Sequence, residues 1–398
     1  MRNFLVCCRL GLLFAVLGLG SCGNPPQDSC LVITIDDANY FDADRVLINQ
    51  CTGVDYIIKG NNFLNVRGAL TIEAGVTVEF ENNGGLNIQS AGSIRALGTS
   101  GEPIVLRGSE GATGDWRGLI VFSGNSTNTL QYTTISGGGS DAFNSNDDKG
   151  NLILYAGSKM AVDHCTFEKG ASYGVNANYR DVDLLSFTNN TIQNNQAAML
   201  ACPEFAHSIE SSNRFPNNIN NYVLLNIGGI DNVDRTWQAL DVPYRQRALS
   251  GVFFDLGVVN GGTLTLEPGV VMEFEANTGI DVKSGSALIA RGTATQPIQF
   301  IGATAVAGFW DGIYFNNTQN PLNELTHVDI SYAGGDSDIG AISMWASSNL
   351  TLSEVRLRNI SGGCAIYDSR GLSGGLPSNP NYSASNVTFE NVGSEYCD

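Results

Sequence analysis

Carboxylates grouped in two glycine-rich loops are the residues of this chain whose type and spacing best fit metal binding. Asp141, Asp147 and Asp148 follow a Ser-Gly-Gly-Gly turn, and Asp336 and Asp338 follow a Ser-Tyr-Ala-Gly-Gly turn. Calcium prefers oxygen ligands of this kind, so the two loops are candidate calcium sites, although their spacing is not that of an EF-hand loop. The alternative is that these carboxylates are solvated or cap turns. No other cofactor is expected.

Two tryptophans in matching contexts are candidates for carbohydrate contact. Trp116 lies in Gly-Asp-Trp-Arg-Gly and Trp310 in Gly-Phe-Trp-Asp-Gly. An exposed indole can stack on a sugar ring, so the pair predicts a glycan contact. The alternative is packing, in which each indole covers the edge of the core beside a strand.

An internal duplication underlies the strands and turns on which these residues lie. Residues 68–122 align without a gap on residues 262–316 at an offset of 194, with about 21 of 55 positions identical. The match continues beyond this block, where Leu130–Ser136 aligns with Leu325–Ser331 and Tyr155–Met160 with Trp345–Leu350. The chain is therefore predicted to contain two related modules.

Within each module, apolar and polar residues alternate in short runs. In residues 70–81, leucine, isoleucine, valine and phenylalanine alternate with threonine and glutamate, which is the period of a strand with one buried face. No stretch of residues 22–398 sustains a helical apolar period, so a sheet with crossover helices is excluded and an all-β fold is predicted. Asparagine runs near residues 189–195 and 217–221 favour a solenoid, because asparagine adopts left-handed turns and can stack its amides from coil to coil.

The repeated string Gly-x-Leu-Thr-Ile/Leu-Glu-Ala/Pro-Gly-Val-x-x-Glu-Phe, followed by Gly-Thr-x-x-x-x-Pro-Ile and an Asp/Phe-Trp-Arg/Asp-Gly turn, resembles the repeats of bacterial cell-envelope proteins with a right-handed parallel β-helix. These proteins are related in fold to the pectin lyases. The resemblance implies an all-β, right-handed parallel β-helix built from two duplicated modules. It does not fix an activity, because this fold carries lyases, hydrolases, adhesins and passive stalks.

The polysaccharide-cleaving relatives of this fold set the enzyme hypothesis. Galacturonan hydrolases of the fold carry Asn-x-Asp, Asp-Asp, Gly-His-Gly and Arg-x-Lys motifs, whose carboxylates act as acid and base on the sugar bond. None of the three histidines, His164, His207 and His327, has glycine neighbours, and the sequence contains no Arg-x-Lys. No catalytic residue is assigned, and we expect a protein that is not an enzyme.

Residues 1–22 combine Arg2 and Arg9, an apolar stretch from Gly11 to Leu19, and a Leu-Gly-Ser-Cys box ending at Cys22. This segment resembles a bacterial lipoprotein signal peptide, which implies cleavage before Cys22 and lipidation of its thiol. The alternative is an ordinary secretory signal. Gly23 rather than Asp after Cys22 favours the outer membrane, with the periplasmic face and the cell surface both open.

Export also determines how the remaining cysteines are interpreted. Six are left after Cys7, Cys8 and Cys22 are set aside, and an even number in an oxidising compartment favours disulfides. Six cysteines allow 15 connectivities, of which the pairing of sequence neighbours is the prediction. The predicted pairs are Cys30–Cys51, Cys165–Cys202 and Cys364–Cys397.

The overall charge limits the partners. The formal net charge of −18 opposes binding to a phosphate backbone, so no nucleic-acid partner is expected. The predicted organisation is a signal peptide (1–21), an N-terminal tether and cap (22–50), a first module (51–202), a connecting segment (203–241) and a second module (242–398). The predicted function is that of a non-catalytic, lipid-anchored envelope protein that binds glycan, matrix or another envelope protein through its solenoid faces. A polysaccharide lyase or glycoside hydrolase, and a passive structural stalk, are the alternatives.

Overall fold

The computed structural model describes residues 30–36, 40–60, 63–81, 83–144, 146–248, 256–336 and 339–398. Its chain forms an all-β parallel solenoid of about 12 turns, consistent with a right-handed β-helix. The predicted all-β parallel β-helix is thereby confirmed. Among these residues, no helix has the length and apolar character needed to cross a membrane. Cys22 and its lipidation lie outside the described residues.

In the first half of the chain, each coil contributes one strand to each of three parallel sheets, A, B and C. Sheet A contains β1 (Ile33–Ile35), β3 (Tyr56–Ile58), β6 (Thr77–Phe80), β9 (Ile104–Gly108), β12 (Thr133–Ser136), β15 (Thr166–Glu168) and β18 (Thr191–Gln193). Sheet B contains β2 (Arg45–Leu47), β5 (Ala69–Ile72), β8 (Ser93–Leu97), β11 (Thr129–Gln131), β14 (Lys159–Asp163) and β17 (Asp183–Thr188). The first strands of sheet C are β4 (Phe63–Val66), β7 (Gly85–Ile88), β10 (Gly118–Val121), β13 (Gly150–Leu154), β16 (Tyr173–Ala177), β19 (Ala197–Ala201) and β20 (Asn220–Leu225).

In the second half, sheet C continues as two adjoining ladders, and sheet D forms the remaining face. The ladder that extends β20 contains β23 (Tyr244–Gln246), β26 (Val271–Phe274), β29 (Ile298–Gly302), the later parts of β31 (Glu324–Ser331) and β33 (Leu350–Ile360), and β38 (Thr388–Val392). The adjoining ladder contains β22 (Asp234–Trp237), β25 (Thr263–Leu266), β28 (Ala287–Arg291), the earlier parts of β31 and β33, and β37 (Tyr382–Ser385). Sheet D contains β21 (Gly229–Asp231), β24 (Leu256–Val259), β27 (Gly279–Val282), β30 (Gly312–Asn316), β32 (Gly340–Trp345), β34 (Cys364–Asp368) and β39 (Tyr396–Cys397). A 3₁₀ helix, η1 (Pro203–Ser208), and an antiparallel hairpin of β35 (Leu372–Ser373) and β36 (Leu376–Pro377) complete the elements.

Strand pairing runs without interruption from the first half into the second. β20 pairs in parallel with β19 on one side and with β23 on the other. Segment 203–241, predicted as a connection, therefore contributes η1 and the strands β20 to β22 to the solenoid itself.

Strands that align in sequence lie in different sheets in the two halves. At the offset of 194, β7 and β10 of sheet C align with β27 and β30 of sheet D. By the same offset, β6 and β9 of sheet A align with β26 and β29, which extend sheet C. The sequence pattern is thus rotated by one sheet position about the solenoid axis between the two halves.

Inward side chains stack from coil to coil and form one continuous apolar core. Along sheet C, for example, Leu119, Leu152 and Val175 occupy successive paired positions and are fully buried. Such burial contributes about 25 cal/mol per Å² of apolar surface removed from water.

Asparagines stabilise the corners of the first half in the way the sequence predicts. Asn189, Asn194 and Asn217 adopt positive φ angles of 55°, 55° and 60°. Next to them, the buried amide of Asn190 donates to Asn213 Oδ1 at 3.0 Å, one coil further along. Stacked amides of this kind satisfy polar groups that the interior would otherwise leave unpaired.

The cysteines follow the prediction in two pairs and contradict it in the third. Cys30 is bonded to Cys51, and Cys364 is bonded to Cys397. Cys165 and Cys202 are free and buried, so the predicted bond between them is wrong.

The reason is their position in the coil. Cys165 precedes β15 of sheet A, whereas Cys202 follows β19 of sheet C. Their thiols donate to different carbonyls, Asp163 O at 3.4 Å and Asn178 O at 3.1 Å. Burial raises the pKa of each thiol to about 12, which keeps both protonated.

Candidate functional site

The two matching tryptophans, Trp116 and Trp310, are fully buried. Trp116 stacks on Phe80 with ring centroids 4.2 Å apart, and Trp310 stacks on Phe274 at 4.1 Å. Each indole Nε1 donates to a backbone carbonyl at 2.8 Å, that of Ser136 or of Ser331. The predicted glycan contact at these residues is therefore wrong, because the turn directs each ring into the core.

The acidic residues of the first glycine-rich loop have separate partners. Asp148 is buried and accepts hydrogen bonds from Tyr179 Oη and Asn144 Nδ2, both at 2.6 Å. Asp147 pairs with Lys149 at 3.0 Å and Asp141 with Arg117 at 3.5 Å. The structure does not bring these three carboxylates together. In the described part of the chain, no group of three histidines, cysteines or carboxylates is arranged to hold a metal ion.

In the second glycine-rich loop, Asp336 lies near the carboxylate of Asp311, which aligns with Arg117. Burial, together with the charge of Asp336, raises the pKa of Asp311 to about 6. Arg117 and Asp141 of the first half thus correspond to Asp311 and Asp336 of the second. Asp338 lies outside the described residues.

A ladder of three aromatic rings follows the strands of sheet C in the first half. Phe122, Tyr155 and Tyr179 are half-buried, and successive ring centroids are 4.5 and 4.4 Å apart. The loop that carries Asp148 reaches this ladder, since Asn146 Nδ2 also donates to Tyr179 Oη at 3.2 Å. Burial and the hydrogen bond to Asp148 raise the pKa of Tyr179. These rings therefore pack against one another and against a loop of their own chain.

In the second half, an aromatic surface on sheet D is open. Alternate residues of a strand point to opposite faces, and the inward residue Met344 places its neighbour Trp345 on the outer face of β32. Trp345 is 38% exposed, whereas the other three tryptophans are fully buried. We call this surface the platform. It consists of outward residues of the four neighbouring strands β27, β30, β32 and β34 and of Lys283, which follows β27: Asp281, Lys283, Tyr314, Asn316, Trp345 and Tyr367.

The platform places apolar rings beside a small polar network. The rings of Trp345 and Tyr367 are 5.2 Å apart at an angle of 48°. One strand further, Asn316 Nδ2 donates to Asp281 Oδ1 at 2.6 Å, and Lys283 Nζ lies 3.4 Å from Asp281 Oδ2. Sites for small polar ligands combine aromatic surface with a few placed donors and acceptors in the same way.

Sequence reasoning missed Trp345, although a signal for it was present. The residue aligns with Tyr155, a member of the aromatic ladder, rather than with either of the matching tryptophans. The strand register of residues 342–345 would also have placed it outward, because its neighbour Met344 belongs to the core.

Carboxylates on the other faces form ion pairs between adjacent coils. Those of Glu79, Glu273, Glu324 and Asp329 each pair with an arginine at 2.6 to 2.9 Å; the partners are Arg107, Arg245, Arg291 and Arg356. The hydrogen bond from Arg291 lowers the pKa of Glu324. Opposite charges at paired positions on neighbouring strands stabilise a sheet, so these carboxylates have a structural role.

Comparison with known proteins supports the fold. The model of a family described as a pectate-lyase like beta helix domain matches residues 44–177, which extend from β2 to β16. No curated protein and no solved structure matches the chain. The chain therefore has a pectate-lyase-like β-helix fold.

Proposed function

We propose that this chain is an exported, lipid-anchored envelope protein that binds a glycan, without cleaving it, on the platform of sheet D. The observation that carries the proposal is the exposed ring of Trp345, which lies beside Tyr367 and next to the polar network of Asn316 and Asp281.

The chemistry of the platform favours a sugar polymer over a protein surface. The apolar face of a sugar ring packs on an indole, while its hydroxyls exchange hydrogen bonds with amide and carboxylate groups at the same level. The parallel strands of sheet D are about 4.8 Å apart and form a flat surface along which an extended chain can lie. A protein partner would require a larger apolar patch than two rings provide.

A binding role also agrees with the state of the carboxylates elsewhere. Polysaccharide cleavage needs two carboxyl groups that can exchange protons with the substrate. Glu79, Glu273, Glu324 and Asp329 are held in ion pairs with arginines, so their oxygens already have partners within the chain. These groups are suited to stabilising the solenoid on which the platform is built.

The anchor is the second part of the proposal, and it rests on the segment that ends at Cys22. Cys22→Ser in the full chain should abolish incorporation of labelled fatty acid and release the protein from the membrane fraction. An unchanged fatty-acid label would contradict lipidation at this residue.

The experiment on function is a polysaccharide array with the full chain in mild detergent, in which binding and released reducing or unsaturated ends are measured together. Trp345→Ala should weaken binding at least tenfold, which corresponds to about 1.4 kcal/mol. Leu185→Ala is the matched control, because Leu185 lies on sheet B and is similarly exposed at 44%. Product formation, or binding that Trp345→Ala leaves unchanged, would overturn the proposal.

A further inference from the structure

A second surface lies at the corner within β31 and β33, where the chain passes from one ladder of sheet C to the other. Successive coils place His327, Glu354 and Asn386 at this corner, with positive φ angles of 48°, 55° and 53°. Asparagine tolerates this left-handed conformation, whereas histidine and glutamate adopt it at a cost in free energy.

The aligned corner of the first half shows what a closed arrangement looks like. There, Tyr132, which aligns with His327, stacks on the ring of His164 at 4.6 Å. Asp163 accepts hydrogen bonds from His164 Nδ1, Asn189 Nδ2 and Thr188 Oγ1, at 2.9, 3.0 and 2.7 Å. Burial of this carboxyl opposes ionisation, but the three hydrogen bonds outweigh it and lower the pKa of Asp163. The two rings and the carboxylate of Asp163 thus contact partners within the chain.

In the second half, the corner at His327, Glu354 and Asn386 contains an open cavity of about 230 Å³. Its walls include Pro297, His327, Asp329, Glu354, Arg356 and Asn386. The guanidinium of Arg356 binds both oxygens of Asp329, at 3.0 and 2.9 Å, and Asn386 Nδ2 donates to Glu354 Oε1 at 2.5 Å. His327 and Glu354 stand here at the positions that align with Tyr132 and His164, whose rings stack on each other in the first half.

The lining groups define the chemistry of the occupant. Beyond the bonds that they make with one another, Glu354 and Asp329 keep acceptor lone pairs, and Arg356 and Asn386 keep N–H donors. Arg356 is neutralised by Asp329, so an anion finds no free cation in the cavity, and the carboxylate of Glu354 would repel it. The lining therefore presents both hydrogen-bond donors and hydrogen-bond acceptors. A neutral group rich in hydroxyls satisfies both, because each hydroxyl can donate to a carboxylate and accept from a donor.

We propose that this cavity binds a single neutral sugar residue. Its volume equals that of roughly eight water molecules in the liquid, which suits one monosaccharide rather than a polymer segment. The cavity is separate from the platform, which lies on sheet D, so this proposal does not depend on the function assigned to Trp345.

The test is a titration of the full chain in mild detergent with glucose, galactose and mannose, and with galacturonate and glucosamine as charged probes, followed by saturation-transfer NMR. We expect saturable binding of at least one neutral sugar. His327→Tyr, which copies the residue found at the first corner, should weaken this binding at least tenfold by filling the cavity. Glu354→Gln should weaken it about threefold, because it removes a charged acceptor and keeps the shape.

Controls separate this site from the platform and from misfolding. Trp345→Ala should leave monosaccharide affinity unchanged, and His327→Tyr should leave polysaccharide binding on the platform unchanged. Because Tyr132 already has a φ of 44° in the first half, His327→Tyr should fold and melt as the wild type does. Unaltered sugar binding in a folded His327→Tyr, binding of the charged probes only, or the absence of saturable binding would overturn the proposal.

Discussion

The turns around Trp116 and Trp310 have the same interior contacts and opposite charges on their outer side. Both indoles stack on a phenylalanine of a neighbouring strand and donate to a backbone carbonyl at 2.8 Å. The next residue is Arg117 in the first turn and Asp311 in the second. Arg117 lies near Asp141, whereas Asp311 lies near Asp336.

The two halves therefore share their packing and differ in their surfaces. Core positions such as Trp116 and Trp310 are restricted by the coils above and below them. Surface positions lack this restriction, so a closed aromatic ladder in one half corresponds to an open platform in the other. Function is therefore better sought where the halves differ than where they match.

The largest expected effect tests the shared packing. Trp116→Ala and Trp310→Ala should each lower the free energy of unfolding by about 3–5 kcal/mol, because each leaves a large cavity and removes a buried hydrogen bond. Guanidinium unfolding of the full chain, followed by circular dichroism, measures both. A cost below about 1 kcal/mol for either variant would contradict equivalent packing at the two turns.

A smaller effect is expected when the first turn is given the charge of the second. Arg117 Nη1 donates to Ala142 O at 2.9 Å, Nε donates to Asn83 O at 3.1 Å, and the guanidinium lies over the ring of Phe63. Arg117→Asp removes these contacts and brings a carboxylate towards Asp141, so it should lower the free energy of unfolding by about 2 kcal/mol.

The matched control for this substitution is Arg67→Asp, because Arg67 pairs with Asp42 at an exposed position. Exposed ion pairs contribute about 0–1 kcal/mol, so this change should be nearly neutral. Equal losses in the two arginine variants would show that Arg117 contributes only charge.

The smallest expected effect concerns Asp311 and its dependence on pH. Because the pKa of Asp311 in the folded chain is about 6, above the usual value of 3.8, the folded state binds more protons than the unfolded state between these values. Stability should therefore fall as pH rises from about 4 to 6. Asp311→Asn should remove this part of the decline and raise the melting temperature at pH 7 by about 2 °C.

Thermal melting of both proteins from pH 4 to 7 is the measurement. Asp336→Asn should produce a weaker change in the same direction, because it removes the neighbouring charge but leaves Asp311 buried. Melting profiles of the wild type and Asp311→Asn that run parallel across this range would contradict the raised pKa.

The strands were largely predictable from the sequence because their period is local. Alternation in residues 70–81 identified the buried Leu70, Val78 and Phe80. The asparagine corners were predictable for the same reason, since a left-handed turn depends on one residue and its neighbours.

The candidate site was not predictable in the same way, because it depends on contacts between coils. The sequence separation of Cys165 and Cys202 resembled that of the bonded pairs. Only the structure shows that the two residues lie next to different sheets. Trp116 and Trp310 were predicted to be surface aromatics because they recur in both halves. They recur because both belong to the core. Trp345 aligns with a tyrosine, not with a tryptophan, in the other half, and unlike Trp116 and Trp310 it is exposed.

The rotation of the sequence pattern by one sheet position has a consequence for how the molecule meets other molecules. If the two halves pointed in the same direction, a rigid filament lying lengthwise could touch matching spots in each. Here the positions that align in sequence lie on different faces of the solenoid. A straight filament can therefore engage one half at a time, and contact with both would require a flexible chain that winds around the rod or two filaments approaching from separate sides.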